Sequence, residues 1–102
     1  MAKVSMLARL VVHDGKGDEL IAAFEDLFRQ VEDEPGTEVY AMNRSSSDPN
    51  LFWFYELYTD GDALGSHGGS DAMKKAGAVF GPLIAESELV LGSPVRAKGV
   101  AV

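Results

Sequence analysis

The chain has 102 residues, no cysteine, a hydrophobic share of 46% and a formal net charge of −7. That is one domain's length, able to bury a core without disulfides, and the missing thiols exclude thiolate metal sites, iron–sulfur clusters and cysteine nucleophiles. The acidic balance, with Lys74 and Lys75 the only adjacent basic pair, argues against nucleic acid as a partner.

Lys3 to Val12 alternates, with Val4, Met6, Ala8, Leu10 and Val12 on one face and Lys3, Ser5 and Arg9 on the other. This predicts a strand with one strongly apolar face. His13 to Gly17 then forms a turn that leaves His13 in solvent. From Asp18 the period becomes helical: Leu20, Ile21, Phe24, Leu27, Phe28 and Val31 face one way, and Glu19, Glu25, Asp26 and Arg29 the other. Asp18 and Glu19 complement the helix dipole, and Pro35 and Gly36 end the helix.

Thr37 to Arg44 reads as a second strand and Ser45 to Asn50 as a polar turn. Leu51 to Tyr58 is the densest β signal in the chain, so the two runs form a hairpin with a longer loop. A short helix follows to His67, capped by Thr59 or Asp60 and broken by Gly68 and Gly69. Ser70 caps another, with Met73, Ala76, Gly77 and Phe80 on one side, and Gly81 and Pro82 end or kink it. The last strand covers Glu88 to Leu91 and continues loosely to Val95, and the tail over 95–102 either frays or crosses to a partner subunit. The order is the split β-α-β-β-α-β, ferredoxin-like arrangement: one α+β domain over residues 1–102, an antiparallel sheet with helices on one face.

A sheet covered on one side should alternate apolar and polar residues. Leu51 to Tyr58 does not: Phe52 and Phe54 lie on one face, and Leu51, Trp53, Tyr55 and Leu57 on the other. Burying a large apolar side chain is worth about 1.5–3 kcal/mol, so a wet second face would forfeit several such contributions. A second copy packing sheet against sheet is the simplest cover, which predicts a homodimer. Loops or the C-terminal tail are the alternative cover.

Few polar residues are placed to do chemistry. Glu56 interrupts an apolar strand, where a carboxylate must pair, hydrogen-bond or shift its pKa; it either orients a nearby base or serves a structural ion pair. His67 is either a general base at neutral pH or an exposed helix-terminal histidine. His13 and His67 lie far apart with no ligand spacing, so no metal site is expected. Trp53, Phe54 and Tyr58 either line an aromatic pocket or pack the core and interface. Asn43 and Arg44 could orient a carbonyl or an enolate, or simply occupy a surface hairpin.

The stretch Phe54, Tyr55, Glu56, Leu57, Tyr58, Thr59, Asp60, then Ala63, Leu64 and His67, followed by Ser70 and a second helix, resembles the antibiotic biosynthesis monooxygenase family. The Glu34, Pro35, Gly36 turn and the closing Pro94 to Gly99 resemble it too. The resemblance implies a dimeric α+β barrel that oxidises quinols or polyketide-derived phenols with O2, without flavin, haem or metal. It places Glu56 and His67 at the family's acidic and histidine positions, with His67 as base or hydrogen-bond partner of the substrate and Glu56 as its electrostatic support. Many members carry tryptophan where this chain has Tyr58, and the asparagine that the haem-degrading branch needs is absent from Lys3 to Val12.

The expectation is therefore a cofactor-independent monooxygenase taking a small aromatic substrate and O2, with Tyr58, Trp53, Phe54, Asn43 and Arg44 contacting the substrate. The family also implies alternatives, an isomerase or a non-catalytic binding or stress-response protein. No run reaches the roughly 20 apolar residues of a membrane span, and no signal peptide is visible, so a cytoplasmic location is expected.

Overall fold

The alternation of the first segment produces β1 (Val4–Val12), and the helical stripe after it produces two helices, α1 (Gly17–Ala23) and α2 (Glu25–Val31). The hairpin follows as β2 (Thr37–Arg44) and β3 (Leu51–Tyr58), then α3 (Gly61–Gly68) and α4 (Asp71–Phe80). A 3-10 turn, Gly81–Leu83, leads into β4 (Ile84–Gly92). This computed structural model describes residues 2–102. No helix among them is long and apolar enough to cross a membrane.

The four strands form one antiparallel sheet in the order β2-β3-β1-β4, open at both edges. Even-numbered residues of β1 and β3 face the helices. Ala8, Leu10, Val12, Phe52 and Phe54 meet Leu20, Phe24, Leu27 and Ala76 there in one buried cluster. Each such Leu or Phe contributes about 1.5–3 kcal/mol by leaving water, and together they hold helices and sheet as two layers.

Two boundaries differ from those predicted. The single helix from Asp18 to Val31 is broken at Phe24, whose ring packs 4.8 Å from both Phe54 and Phe80 at the joint. The last strand begins at Ile84, not Glu88, and ends at Gly92. Its extent is set by pairing with β1, from Val12↔Ile84 to Ser5↔Gly92, with a bulge between Val11 and Val12. Pro94 lies just beyond, without an N–H for the ladder. The tail returns to the start of β1, where Lys3 Nζ donates to the Ala101 carbonyl at 2.7 Å.

On the outer face, Ala41, Tyr55, Leu7 and Val90 stand in register as one row across all four strands. Leu7, Tyr55 and Val90 are 43%, 38% and 50% exposed, whereas Leu57 near the same end of β3 is buried. Cover within the chain is therefore partial.

Candidate active site

Strand alternation puts Phe54, Glu56 and Tyr58 on the helix side of β3. Glu56 sits in a row with Tyr40 and Met6, and all three residues line one cavity. The Tyr58 hydroxyl, fully buried, donates to Glu56 Oε1.

The second half of the site comes from the turn before β2. The Glu34 carbonyl accepts from the Thr37 N–H at 3.0 Å, and the Gly36 carbonyl accepts from the Thr59 N–H at 2.9 Å, which ties the turn to the end of β3. Just after Thr59, Asp60 Oδ1 caps α3 by accepting from the Ala63 N–H at 2.8 Å. Gly36 lets that helix approach: a Cβ there would lie 2.6 Å from Ala63 Cβ. His67 is one turn beyond Ala63 on the same helix face, so it too is directed at the turn. Its Nδ1 lies 2.8 Å from Glu34 Oε1. Thr37 Oγ1 and Gln30 Nε2 also donate to the Glu34 carboxylate, at 2.9 and 3.5 Å.

A carboxylate oxygen can only accept, so the proton of that contact sits on His67 Nδ1. In the neutral form of the ring, Nε2 then carries the lone pair. It is buried and has no hydrogen-bond partner among the described residues. The ring itself is 2% exposed and packs 4.8 Å from Tyr40 and 5.5 Å from Tyr58, centroid to centroid.

The space beside this group is a cavity of about 700 Å3 between the sheet and α3 and α4. Its walls are Met6, Ala8, Leu10, Phe24, Phe54, Leu64, Met73 and Phe80, and its polar side chains are Tyr40, Glu56, His67 and Ser87. It reaches Leu89 and Leu91 of β4, which are 64% and 61% exposed and form an open lip. Burial pushes the Glu56 carboxyl above its usual range, while the Tyr58 hydrogen bond and, when the ring is protonated, the charge of His67 pull it partly back. The same burial, with Glu56 and Glu34 nearby, drives the Tyr40 and Tyr58 phenols well above theirs.

Of the residues singled out in the sequence, His67, Glu56 and Phe54 line the cavity, and Tyr58 stands behind Glu56. The carboxylate hydrogen-bonded to His67 is Glu34, which the sequence did not single out as a site residue. Trp53 and Asn43 pair on the outer face, with Asn43 Nδ2 on the Trp53 carbonyl at 3.3 Å. Arg44 faces the helices at the far end of β2, where it donates to Asp18 at 2.8 Å and to the Pro49 carbonyl at 2.9 Å and lies over Phe52. Glycine at position 17 leaves room for this, since a Cβ there would lie 2.7 Å from the Pro49 carbonyl oxygen and 2.2 Å from Arg44 Nη2. Trp53, Asn43 and Arg44 are therefore not brought to the cavity. Ser70 Oγ is engaged as the α4 cap, accepting from the Met73 N–H. Among the described residues no group of three or more His, Asp or Glu is arranged to hold a metal ion.

Glu34 was missed as a site residue because nothing in its spacing links it to a histidine 33 positions later. Its only local signal is a carboxylate before a Pro-Gly turn, which reads equally well as a surface turn.

The antibiotic biosynthesis monooxygenase family profile matches residues 3–79. A candidate antibiotic biosynthesis monooxygenase from Caulobacter crescentus is 35% identical, over 93% of this chain and 92% of that one, with a TM-score of 0.86. A protein from Shewanella oneidensis is 26% identical, over 94% of both chains, with a TM-score of 0.86. Another candidate member, from Nitrosomonas europaea, shares the fold at 19% identity, with a TM-score of 0.88 over 96% of this chain and 95% of that one. No curated protein matches. With a profile spanning most of its length and the same fold in a relative of this identity, the chain belongs to the antibiotic biosynthesis monooxygenase family.

Proposed function

We propose that the protein is a cofactor-independent monooxygenase that oxidises a small phenolic or quinol substrate with O2 in the cytosol. The observation that carries this reading is the buried Nε2 of His67, unpartnered among the described residues, in a side chain at the polar end of an apolar cavity. With Glu34 on Nδ1, Nε2 is the basic nitrogen, and it takes the proton of a phenolic O–H bound beside it. The Glu34 carboxylate holds the ring in this tautomer and stabilises the imidazolium that forms.

The resulting phenolate is electron-rich and reduces O2 directly, so the substrate supplies the electrons. Phe24, Phe54 and Phe80 offer it flat apolar walls and keep water away from the anion. The cavity falls within the range of about 300–1,000 Å3 common for small-molecule sites.

The working unit in this reading is a homodimer in which two open sheets pack face to face as an α+β barrel. Support comes from the exposed apolar row of Tyr55, Leu7 and Val90 across the outer face. Soluble monomers rarely leave such a continuous patch in water.

Oxygen-electrode measurements with 1,4-dihydroxynaphthalene test the activity. The expected result is enzyme-dependent uptake well above autoxidation, with formation of the hydroxylated quinone. Thermal stabilisation by the quinol with no uptake would make the protein a binding module instead. Turnover that persists without oxygen would point to isomerase chemistry.

A further inference from the structure

Two carboxylates stand at the polar end of the cavity, and their surroundings differ. Glu34 accepts from His67, Thr37 and Gln30. Among the described residues Glu56 accepts from Tyr58 alone, and it is 2% exposed. Facing Glu56 are Tyr40 from β2, Met6 from β1, Tyr58 from its own strand and His67 from α3, with Glu34 behind His67. None of these is a permanent cation, and among the described residues no Lys or Arg lines the cavity. A carboxylate buried this way, with one donor and a second carboxylate nearby, is strongly disfavoured in its charged form.

We propose that Glu56 is a second catalytic group, resting as a neutral carboxylic acid against Tyr58 and donating its proton to the oxygen-derived group formed on the substrate. The proposal rests on the oxygen-dependent reading above. Burial raises the Glu56 carboxyl in the direction this needs, and it also raises the Tyr40 and Tyr58 phenols, which are weaker acids from the start, so neither phenol competes as the donor. The site then holds a base and an acid side by side in different environments, the arrangement by which one cavity runs both proton transfers.

The steps balance. His67 Nε2 takes the phenolic proton, and the phenolate gives its electrons to O2 as a C–O bond forms, leaving a peroxide anion on the ring. Glu56 passes its proton to the outer peroxide oxygen, which gives a hydroperoxide and the Glu56 carboxylate. The carboxylate next takes the proton from the ring carbon that bears the hydroperoxide. As the C=O bond forms, the O–O bond breaks, and the departing hydroxide takes the imidazolium proton from His67 and leaves as water. Substrate and O2 have become quinone and water, and both residues are back in their starting states. Without the proton from Glu56, the peroxide anion takes the imidazolium proton instead. As the second phenol of the ring gives up its proton and forms its C=O bond, the C–O bond to the peroxide breaks. The quinol becomes the unhydroxylated quinone, and the peroxide leaves with both protons as hydrogen peroxide.

Two measurements test this. Infrared spectra of the full chain near neutral pH should contain the carbonyl band of a protonated carboxylic acid that is absent from Glu56→Gln and shifted in Tyr58→Phe. A wild type lacking that band, or a Glu56→Gln variant retaining it, would overturn the resting state. With 1,4-dihydroxynaphthalene, Glu56→Gln should shift the products from 2-hydroxy-1,4-naphthoquinone toward 1,4-naphthoquinone and hydrogen peroxide, by about 10-fold or more in their ratio. An unchanged ratio in the folded variant would overturn the donor step. Absence of oxygen uptake in the wild type would remove the monooxygenase reading and the donor step together, while the infrared band would still report whether Glu56 rests as an acid.

Discussion

On the helix side of β3, Phe52, Phe54, Glu56 and Tyr58 are all buried; on the outer side Leu51 and Trp53 are half-buried, Tyr55 is exposed and Leu57 is buried. Both sides are rich in aromatic residues, so aromatic content does not distinguish them. The difference lies in what accompanies the rings. The helix side carries a buried acid and its tyrosine beside an open cavity, with a histidine from α3 completing the group. The outer side continues across β1 and β4 as Leu7 and Val90, with Arg9 and Glu86 paired at 3.7 Å further along the same face. One strand thus lines the cavity on one face and carries part of an exposed apolar row on the other.

The comparison breaks most sharply at adjacent residues. Phe54→Ala removes a ring that touches Phe24, Phe28 and Tyr40, and should cost about 3–5 kcal/mol in urea unfolding. That is a large fraction of a small domain's net stability. On the helix side, Glu34→Gln keeps the volume but no longer fixes the His67 tautomer. It should lower kcat by about 100-fold with little change in KM, read in steady-state oxygen uptake. On the outer side, Tyr55→Asp should leave the fold intact and weaken self-association by about 2 kcal/mol, seen as a shift toward monomer in sedimentation.

The smallest expected effect is a pH slope. Burial raises the Glu56 carboxyl in the folded chain from its ordinary 4.5, so between that value and the raised one the folded state holds more protons than the unfolded state. Stability contributed by Glu56 therefore falls as pH rises through that window. Glu56→Gln should remove this part of the slope, so the wild type loses stability relative to the variant as pH rises above 4.5 in parallel urea titrations.

Much of the fold was legible because its signals are local. Alternation in Val4 to Val12, the capping residues Asp60 and Ser70, and the Pro-Gly turn at residue 35 each report their own neighbourhood. The start of β4 was not, since Glu86 and Ser87 interrupt the apolar pattern and only pairing with β1 defines the strand. In the site, parity along β3 already separated Trp53 from Phe54, Glu56 and Tyr58. Arg44 shares their side but stands opposite Phe52, at the end of the sheet away from Glu56, and only the register reveals this. The Glu34–His67 contact depends on how closely α3 approaches the turn at Gly36, which no residue spacing encodes.

The central claim is that His67 Nε2 is the base of an oxygen-dependent reaction, and oxygen uptake by His67→Ala with 1,4-dihydroxynaphthalene tests it most directly. The account expects a variant with an unchanged circular dichroism spectrum and a rate lower by about 10²–10⁴-fold. A folded His67→Ala that consumes oxygen as fast as the wild type would contradict it.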